Sequence, residues 1–410
     1  MTLLDELKEP ERWETFYDYK TSLVCPKYYA KELRTFIDSE KYLPVCEEIG
    51  SGSFPLPRRA VISKLDTKKK RIVYIYPKDE TAVLKLLTYL LLRKYDGIFS
   101  GNLYSFRPGK TAKDAIRRLT GVPGIRDMYS YKVDISNYFN SIPVERFLPV
   151  LKETLSDDEQ LYSFLAGLLK EEHVTDRGKV ISEEKGIMAG TPLASFYANL
   201  YLKDMDEWFE KQKIPYARYS DDIIVFGKTE EETRSYADKI KEMLSEKGLT
   251  VNPDKEVFST AEDGWTFLGF CEKDGVIDIA PVTLLKLKKK MRRKARALKR
   301  WSDRHEEDGE RAARAFIRVF NRKLMENAGD NELTWSYWFF SVISTTESLH
   351  AIDLYAQDCI RFLCTGTRKK SRFQTKYDDL KAMGYKSLVH DYYAFEDKQK
   401  TQNLKTYGTK

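Results

Sequence analysis

The stretch ARYSDDIIVFG (residues 217–227) sets two carboxylates, Asp221 and Asp222, side by side ahead of an apolar run. Adjacent acids recur in this chain at Asp157–Asp158 and Asp378–Asp379, so the pair taken alone reads as a solvated turn between strands. A catalytic reading needs a partner elsewhere. MYSYKVDISNYF (128–139) offers one: its β-branched and aromatic content predicts a strand, with Lys132, Asp134 and Ser136 on one face and Tyr131, Val133 and Ile135 on the other. An acid midway along such a strand is costly unless something neutralises it. If the strand at 128–139 pairs with a hairpin whose tip is 221–222, the three acids face one another. That arrangement suits nucleotidyl transfer, which uses two divalent ions about 3.5–4 Å apart. The residues by themselves leave the pairing open.

Outward from these strands, the chain alternates short strands with helices. Residues 1–50 read as helical and end in the turn-rich GSGSFPLPRR (50–59). AVISKL and RIVYIYP form a strand pair, and a helix follows over 79–95. Further helices are expected over 144–171, 191–212 and 230–247, the last capped by Gly248, and a short strand segment over 266–279. Beyond Pro281 the reading is almost wholly helical, which makes an α+β body with a C-terminal helical lobe.

Composition narrows the class. With 410 residues, 42% hydrophobic and 13% aromatic, the chain reads as globular, and its net charge of +7 matters less than its distribution. KLKKKMRRKARALKR (286–300) holds ten cations and no acid, while Leu284, Leu287, Met291, Ala295 and Leu298 line one face. Ten cations without acids point to a phosphate backbone as neighbour. A second basic segment, TRKKSRFQTK (367–376), interleaves Phe373, and the aromatic run WSYWFF (335–340) reads as core rather than as a stacking platform. Five cysteines without a CxxC pair and four scattered histidines offer no zinc spacing and suit a reduced, cytoplasmic protein. The start MTLLDELKEPERWETF does not read as a signal peptide, and AVLKLLTYLLL (82–92), with Lys85 inside it, reads as a buried helix rather than a membrane span.

A family resemblance joins these pieces. RYSDD resembles the catalytic box of reverse transcriptases, R-Y-x-D-D in bacterial members, and other strings match the same family in order. SFRPGKTAKDAI (105–116) is similar to its F-R-P-G motif, and YKVDISNYFNSIP (131–143) to the strand bearing the first catalytic acid. KGIMAGTPLASFYANLYLKDMD (185–206) resembles the G-x-P-Q-G-x-P-L-x-P…A-N-x-x-L segment. GLTVNPDKEVF (248–258) resembles the G-L-x-x-N-x-x-K box, and FLGF (267–270) the primer-grip turn.

The resemblance implies a right-hand polymerase fold with fingers, palm and helical thumb. Residues 1–58 would be an N-terminal helical extension, 59–280 fingers and palm, 281–396 thumb and C-terminal RNA-binding lobe, and 397–410 a polar tail. It implies two Mg2+ ions, with Mn2+ as substitute, on Asp134 and Asp221 with Asp222 in support. Phe139 falls where the family places a steric gate against the ribose 2′-hydroxyl, core packing being its other reading. Lys64 and Arg71 fit the triphosphate-binding cations, the neighbouring Lys68, Lys69 and Lys70 leaving that register open. Ala189 stands where relatives carry a nucleotide-contacting glutamine, a departure that bears on nucleotide affinity, fidelity or template range. Arg107 would organise the fingers or the template; Lys255, Lys288, Lys289, Arg292, Arg293 and Arg296 would meet template and primer.

The implied activity is RNA-directed DNA polymerisation, with an RNA template, deoxynucleoside triphosphates and a cDNA product as partners and no membrane. Neither a retron-type V-T-G segment nor a Cys/His endonuclease module is present, which favours a defence-associated enzyme copying a structured non-coding RNA. A group II intron reverse transcriptase/maturase and a retron-type enzyme are the alternatives within the family. A binding module with structural carboxylates is the alternative outside it.

Overall fold

The computed structural model describes residues 2–23, 25–63, 70–325 and 335–407. They form two compact units, Met1–Ala261 and Glu262–Lys410. The strands of the first unit are β1 (Arg58–Ser63), β2 (Lys70–Ile75), β3 (Tyr129–Asp134), β4 (His173–Asp176), β5 (Lys179–Ser182), β6 (Tyr216–Tyr219), β7 (Asp222–Gly227) and β8 (Val257–Ser259). They make two four-stranded sheets, in the orders β2-β1-β4-β5 and β6-β7-β3-β8.

The second of these sheets carries the acids. β3 pairs antiparallel with β7 from Tyr129↔Gly227 to Asp134↔Asp222, and with β8 on its other side. Ile223, Ile224, Val225 and Phe226 of β7 are all buried, because both faces of this inner strand are covered. That explains a continuous apolar run where a half-exposed strand would alternate. The helix Glu230–Glu246 packs on β3 and β7. Its start is set by the Thr229 hydroxyl, which accepts from the Glu232 N–H, and Gly248 just past its end adopts φ 73°.

The helix Lys78–Lys94 buries Val83, Leu84, Leu87 and Leu91, which accounts for the long apolar run around Lys85. The N-terminal helices pack on one another through Trp13, which stacks on Tyr42 at 5.0 Å, and on the Lys78–Lys94 helix through Phe16, which meets Tyr89 edge-on at 5.4 Å. Burying each such ring is worth about 1.5–3 kcal/mol.

Two expected helices are broken. Residues 144–171 divide into Val144–Thr154 and Glu159–Lys170, where the Asp158 carboxylate caps the second by accepting from the Leu161 N–H at 3.1 Å. Residues 191–212 divide at Leu202 into Ala194–Tyr201 and Lys203–Lys211. The first piece is buried from Phe196 to Tyr201, whereas the second buries only Met205, Asp206 and Phe209. The turn at Leu202 lets each piece present its own apolar surface, and it brings Asp206 to β6.

In the second unit, β9 (Trp265–Phe267), β10 (Phe270–Lys273) and β11 (Val276–Ile279) form a meander, with Leu268 and Gly269 at positive φ in the FLGF turn. Pro281 opens the helix Pro281–Arg304, whose Met291 and Ala295 are buried against its neighbours. Phe339 and Phe340 of WSYWFF are core, in contact with Phe270, Tyr392 and Phe395. Residues 397–407, expected as a polar tail, continue the last helix, Leu388–Tyr407; their Lys, Gln and Leu are good helix formers whatever their polarity. Among the described residues no helix is long and apolar enough to cross a membrane, and all five cysteines are free thiols.

Candidate active site

Tyr219 pairs with Asp222, so Ser220 and Asp221 form a two-residue turn between β6 and β7. Ser220 adopts φ 60°, a conformation that costs a non-glycine residue about 1–2 kcal/mol. The surroundings hold it there. The Ser220 N–H donates to the Ser105 hydroxyl at 2.9 Å, and Arg218 Nη1 donates to the Ser220 carbonyl at 3.3 Å. Arg218 is wholly buried and clasps Asp206 through Nε (2.8 Å) and Nη2 (2.5 Å), while Nη2 also reaches the Asn199 carbonyl at 3.1 Å. Asp206 in turn accepts from the Tyr216 hydroxyl, and its charge keeps the Arg218 guanidinium protonated. Asn199 closes the circuit by exchanging hydrogen bonds with Ser105, at 2.9 and 2.8 Å. The segment Asn102–Tyr104 lies along the outer edge of β6, with hydrogen bonds to both sides of Arg218.

This network presents the turn to the end of β3. The Ile135 N–H donates to the Asp221 carbonyl at 3.1 Å, and Asp134 is the ladder partner of Asp222. The expected pairing is therefore present, and Asp134, Asp221 and Asp222 come together. Burial first, and then the charge of Asp134, pushes the Asp221 carboxyl above the usual aspartate range. Burial does the same to Asp222, opposed by Lys132 (3.9 Å) and reinforced by Asp221 and Asp134. Half-buried like charges of this kind favour a cation. Among the described residues no three ligating side chains converge into a ready-made metal cage. Magnesium does not need one, since it binds through one or two carboxylates and takes its other ligands from water and substrate phosphate. The hard oxygens of Asp134, Asp221 and Asp222 fit such an ion.

The other sheet supplies the facing wall. Arg71, exposed at the start of β2, lies 5.7 Å over the Phe139 ring and within electrostatic reach of Asp221. Phe139 itself is half-buried and packs on the core with one face. Asn140 ties the parts together: its Nδ2 donates to the Ile72 carbonyl and its Oδ1 accepts from the Ala189 N–H, both at 3.1 Å. The Tyr74 N–H donates to the Ala189 carbonyl at 2.8 Å. Gly190, at φ 98°, lies so close to β2 that an added Cβ would stand 2.9 Å from the Val73 Cβ. Ala189 is thus clamped by its backbone and only 1% exposed.

The remaining expected residues divide. Arg107 is spent internally, on the Asp96 carboxylate (2.8 and 3.1 Å) and the Ser100 and Leu103 carbonyls, so it organises its own loop. Lys255 reaches back to Asp134 Oδ2 at 2.5 Å. Lys289, Arg292, Arg293 and Arg296 are exposed on the Pro281–Arg304 helix of the second unit, and Lys288 lies over Tyr355 at 5.9 Å. Lys64, with Lys68 and Lys69, lies outside the described residues. The residues missing from the sequence reading are Arg218, Asp206, Asn199 and Ser105. Their signal was present in the letters flanking the acids, the R of RYSDD, the N of YANL and the last D of KDMD, but a letter does not say which way a buried side chain points.

A four-stranded antiparallel sheet that gathers carboxylates at the end of an inner strand and the adjoining turn, flanked by helices, is the palm of a right-hand polymerase. The class is therefore that of nucleic-acid polymerases. Residues 62–271, just over half of the chain, match the family described as reverse transcriptase (RNA-dependent DNA polymerase), and the chain belongs to that family. It is 26% identical over 166 residues to the uncharacterized 91 kDa protein in cob intron of Schizosaccharomyces pombe, a match covering 39% of this chain and 20% of that protein. The chain thus spans about a fifth of the length of the curated relative it matches. Among solved structures, apo telomerase from Candida tropicalis is similar at 12% identity and TM-score 0.46, over 80% of this chain and 69% of that one. Telomerase from Candida albicans, in complex with a fragment of telomeric RNA, is similar at 12% identity and TM-score 0.44, over 80% and 63%.

Proposed function

We propose that this protein is an RNA-directed DNA polymerase that extends a primer with deoxynucleotides on an RNA template. The observation that carries it is the Asp134↔Asp222 pairing, which gathers three acids opposite Arg71 and Phe139 within a family-matched segment. Asp134 and Asp221 would hold two Mg2+ ions, or Mn2+ in their place, with Asp222 in support. Bound there, the ions would activate the attacking hydroxyl and stabilise the leaving pyrophosphate. The chain's own groups do the rest. Arg71 meets the triphosphate with a fork of donors, and the exposed side of Phe139 walls off the sugar edge. Lys255, already on Asp134, is positioned to move to a phosphate when a cation takes its place. The exposed cations of the Pro281–Arg304 helix (Lys289, Arg292, Arg293 and Arg296) track the template–primer backbone, a sequence-independent contact. We place this work in the cytoplasm, where free thiols persist.

The RNA copied has two candidate identities. One is a dedicated structured non-coding RNA in bacterial anti-phage defence, to which the motif resemblance of residues 105–270 leads. Similarity to a protein of the cob intron favours an intron RNA, with the C-terminal lobe as its docking surface. Sequencing the RNA and DNA that co-purify with the protein separates them: intron sequence supports the second, and an unrelated short structured RNA the first.

The activity itself is tested by primer extension on an RNA template with Mg2+. The double variant Asp221→Ala, Asp222→Ala is expected to lose cDNA synthesis while retaining RNA binding. Continued synthesis by that variant removes the site assignment.

A further inference from the structure

The chain that leaves Asp134 turns sharply. Asn137 adopts φ 45° and ψ 37°, a left-handed conformation that asparagine tolerates better than most residues, and the single helical turn Tyr138–Ser141 follows. That turn gives two consecutive side chains different partners. Phe139 lies under Arg71, whereas the half-buried Asn140 is spent on the protein itself. Its Nδ2 donates to the carbonyl of Ile72, the residue after Arg71, and its Oδ1 accepts from the Ala189 N–H. One partner is a carbonyl and the other an N–H, so the bridge needs a donor and an acceptor on one side-chain end. A carboxamide carries both, and an ionised carboxylate has no donor. One amide group therefore joins β2 of the first sheet, the turn that follows β3 of the second, and the loop 186–190.

The loop takes its shape from these attachments. Gly186, Met188 and Gly190 stand at φ 52°, 60° and 98°, and the positive φ of Met188 costs about 1–2 kcal/mol that its surroundings must offset. Gly186 lies so close to the Phe139 main chain that an added Cβ would stand 2.6 Å from the Phe139 carbonyl oxygen. The Ile187 N–H donates to that same carbonyl at 2.9 Å. At residue 189 both main-chain groups are engaged, the N–H by Asn140 and the carbonyl by the Tyr74 N–H. The position of the loop is therefore independent of the side chain at 189, which lets an alanine stand there without loosening it.

We propose that Asn140 is a positioning residue for the incoming nucleotide, keeping Arg71 and Phe139 in register by tying β2 and the loop 186–190 to the turn after Asp134. It touches no reacting atom and acts through its neighbours. The assignment deepens the polymerase reading and rests on it for the identity of the ligand. Without the carboxamide, the Ile72 carbonyl and the Ala189 N–H lose their partner, and β2 can shift away from Phe139. The acids do not follow, because Asp134 and Asp222 are held by the β3–β7 ladder and Ser220 by Arg218. Nucleotide affinity and the choice of sugar thus depend on Asn140, whereas turnover and hybrid binding do not.

The test combines steady-state primer extension on an RNA template with hydrogen exchange at the Ala189 amide. Asn140→Ala is expected to raise the deoxynucleotide KM about tenfold, the worth of two lost hydrogen bonds, and to lower discrimination against ribonucleotides by a similar factor. Its kcat and its affinity for an RNA–DNA hybrid should stay within about twofold of native. Asn140→Asp keeps an acceptor for Ala189 and loses the donor to Ile72. Its added charge repels both kinds of nucleotide alike, so a loss of sugar selectivity in this variant reads the Ile72 bond, and it carries the test should Asn140→Ala not fold. Exchange at Ala189 should quicken about tenfold in Asn140→Ala and remain slow in Asn140→Asp. Because Asn140 acts through Arg71, adding Asn140→Ala to Arg71→Ala should change KM by less than about twofold. Full multiplication of the two effects overturns the proposal. So does an unchanged KM and sugar selectivity in folded Asn140→Ala, or a fall in kcat alone. Native protein that extends no primer on any RNA template removes the polymerase reading, and exchange then judges the tie by itself. Extension by native protein with Ala189 exchange unaltered in Asn140→Ala removes the tie and leaves the polymerase reading standing.

Discussion

Asp206 and Asp221 lie on either side of Arg218 in the sequence, and the fold treats them in opposite ways. Asp206 is wholly buried and fully answered, with two hydrogen bonds from Arg218 and one from Tyr216. Asp221 is half-buried and has a like charge, Asp134, as its strongest electrostatic neighbour after burial itself. A buried acid with its partner in place serves the fold. A half-buried acid set against other acids raises the energy of the protein alone, and such an arrangement marks a place where something else binds. The first acid holds the second in position, because Arg218 clasps Asp206 with one edge and the Ser220 carbonyl with another.

The contrast can be broken by substitution. Asp221→Asn should lower primer extension by about 10³-fold or more, the scale expected when a metal-holding acid is lost. The thermal midpoint should hold or rise, since a like charge has been removed; a fall in midpoint would put Asp221 in the same category as Asp206. Asp206→Asn should do the converse, costing about 3–5 kcal/mol in chemical denaturation, because the Arg218 guanidinium is left buried without its anion. Unchanged stability there would mean that the pair does not support the turn.

Smaller effects test the facing wall. Ala189→Gln restores the side chain common in relatives, but the site is 1% exposed, so a stability loss of about 1–3 kcal/mol from overpacking is expected. The nucleotide KM should shift without synthesis being abolished, and complete loss of activity in folded protein would contradict this. Phe139→Ala should reduce discrimination against ribonucleotides by about tenfold in competition assays. Unchanged sugar selectivity would assign Phe139 to core packing alone.

Much of the acid-bearing sheet was legible beforehand. The alternation along 128–139 placed Asp134 on the face opposite Val133, and the Thr229 and Gly248 signals bracketed the helix that covers the sheet. These are local properties, read from a period of two residues or from a cap. The break at Leu202 was not legible, because the apolar letters on both sides suit one continuous helix and only the two different burial environments divide it. Lys255 was read as a template contact, and the structure sets it on Asp134 across a sequence gap that no periodicity spans. Arg107 was read as an organiser of fingers or template, and its position beside Asp96 is decided by the path of the loop around it.

The amino-acid sequence by itself determined most of the elements and the family, and pointed to the three acids, because strand period, helix caps and ordered motifs are written in neighbouring residues. Only the tertiary structure decided which strand lies beside which. It therefore decided that Asp134 faces Asp222, that Arg218 is spent on Asp206, and that four cations without an ion pair among the described residues share a cleft with four aromatic rings next to the turn. Such pairings join residues from about a dozen to more than a hundred positions apart. The free energy that selects them comes from burial and hydrogen bonding summed over the whole core, which no single stretch of sequence contains.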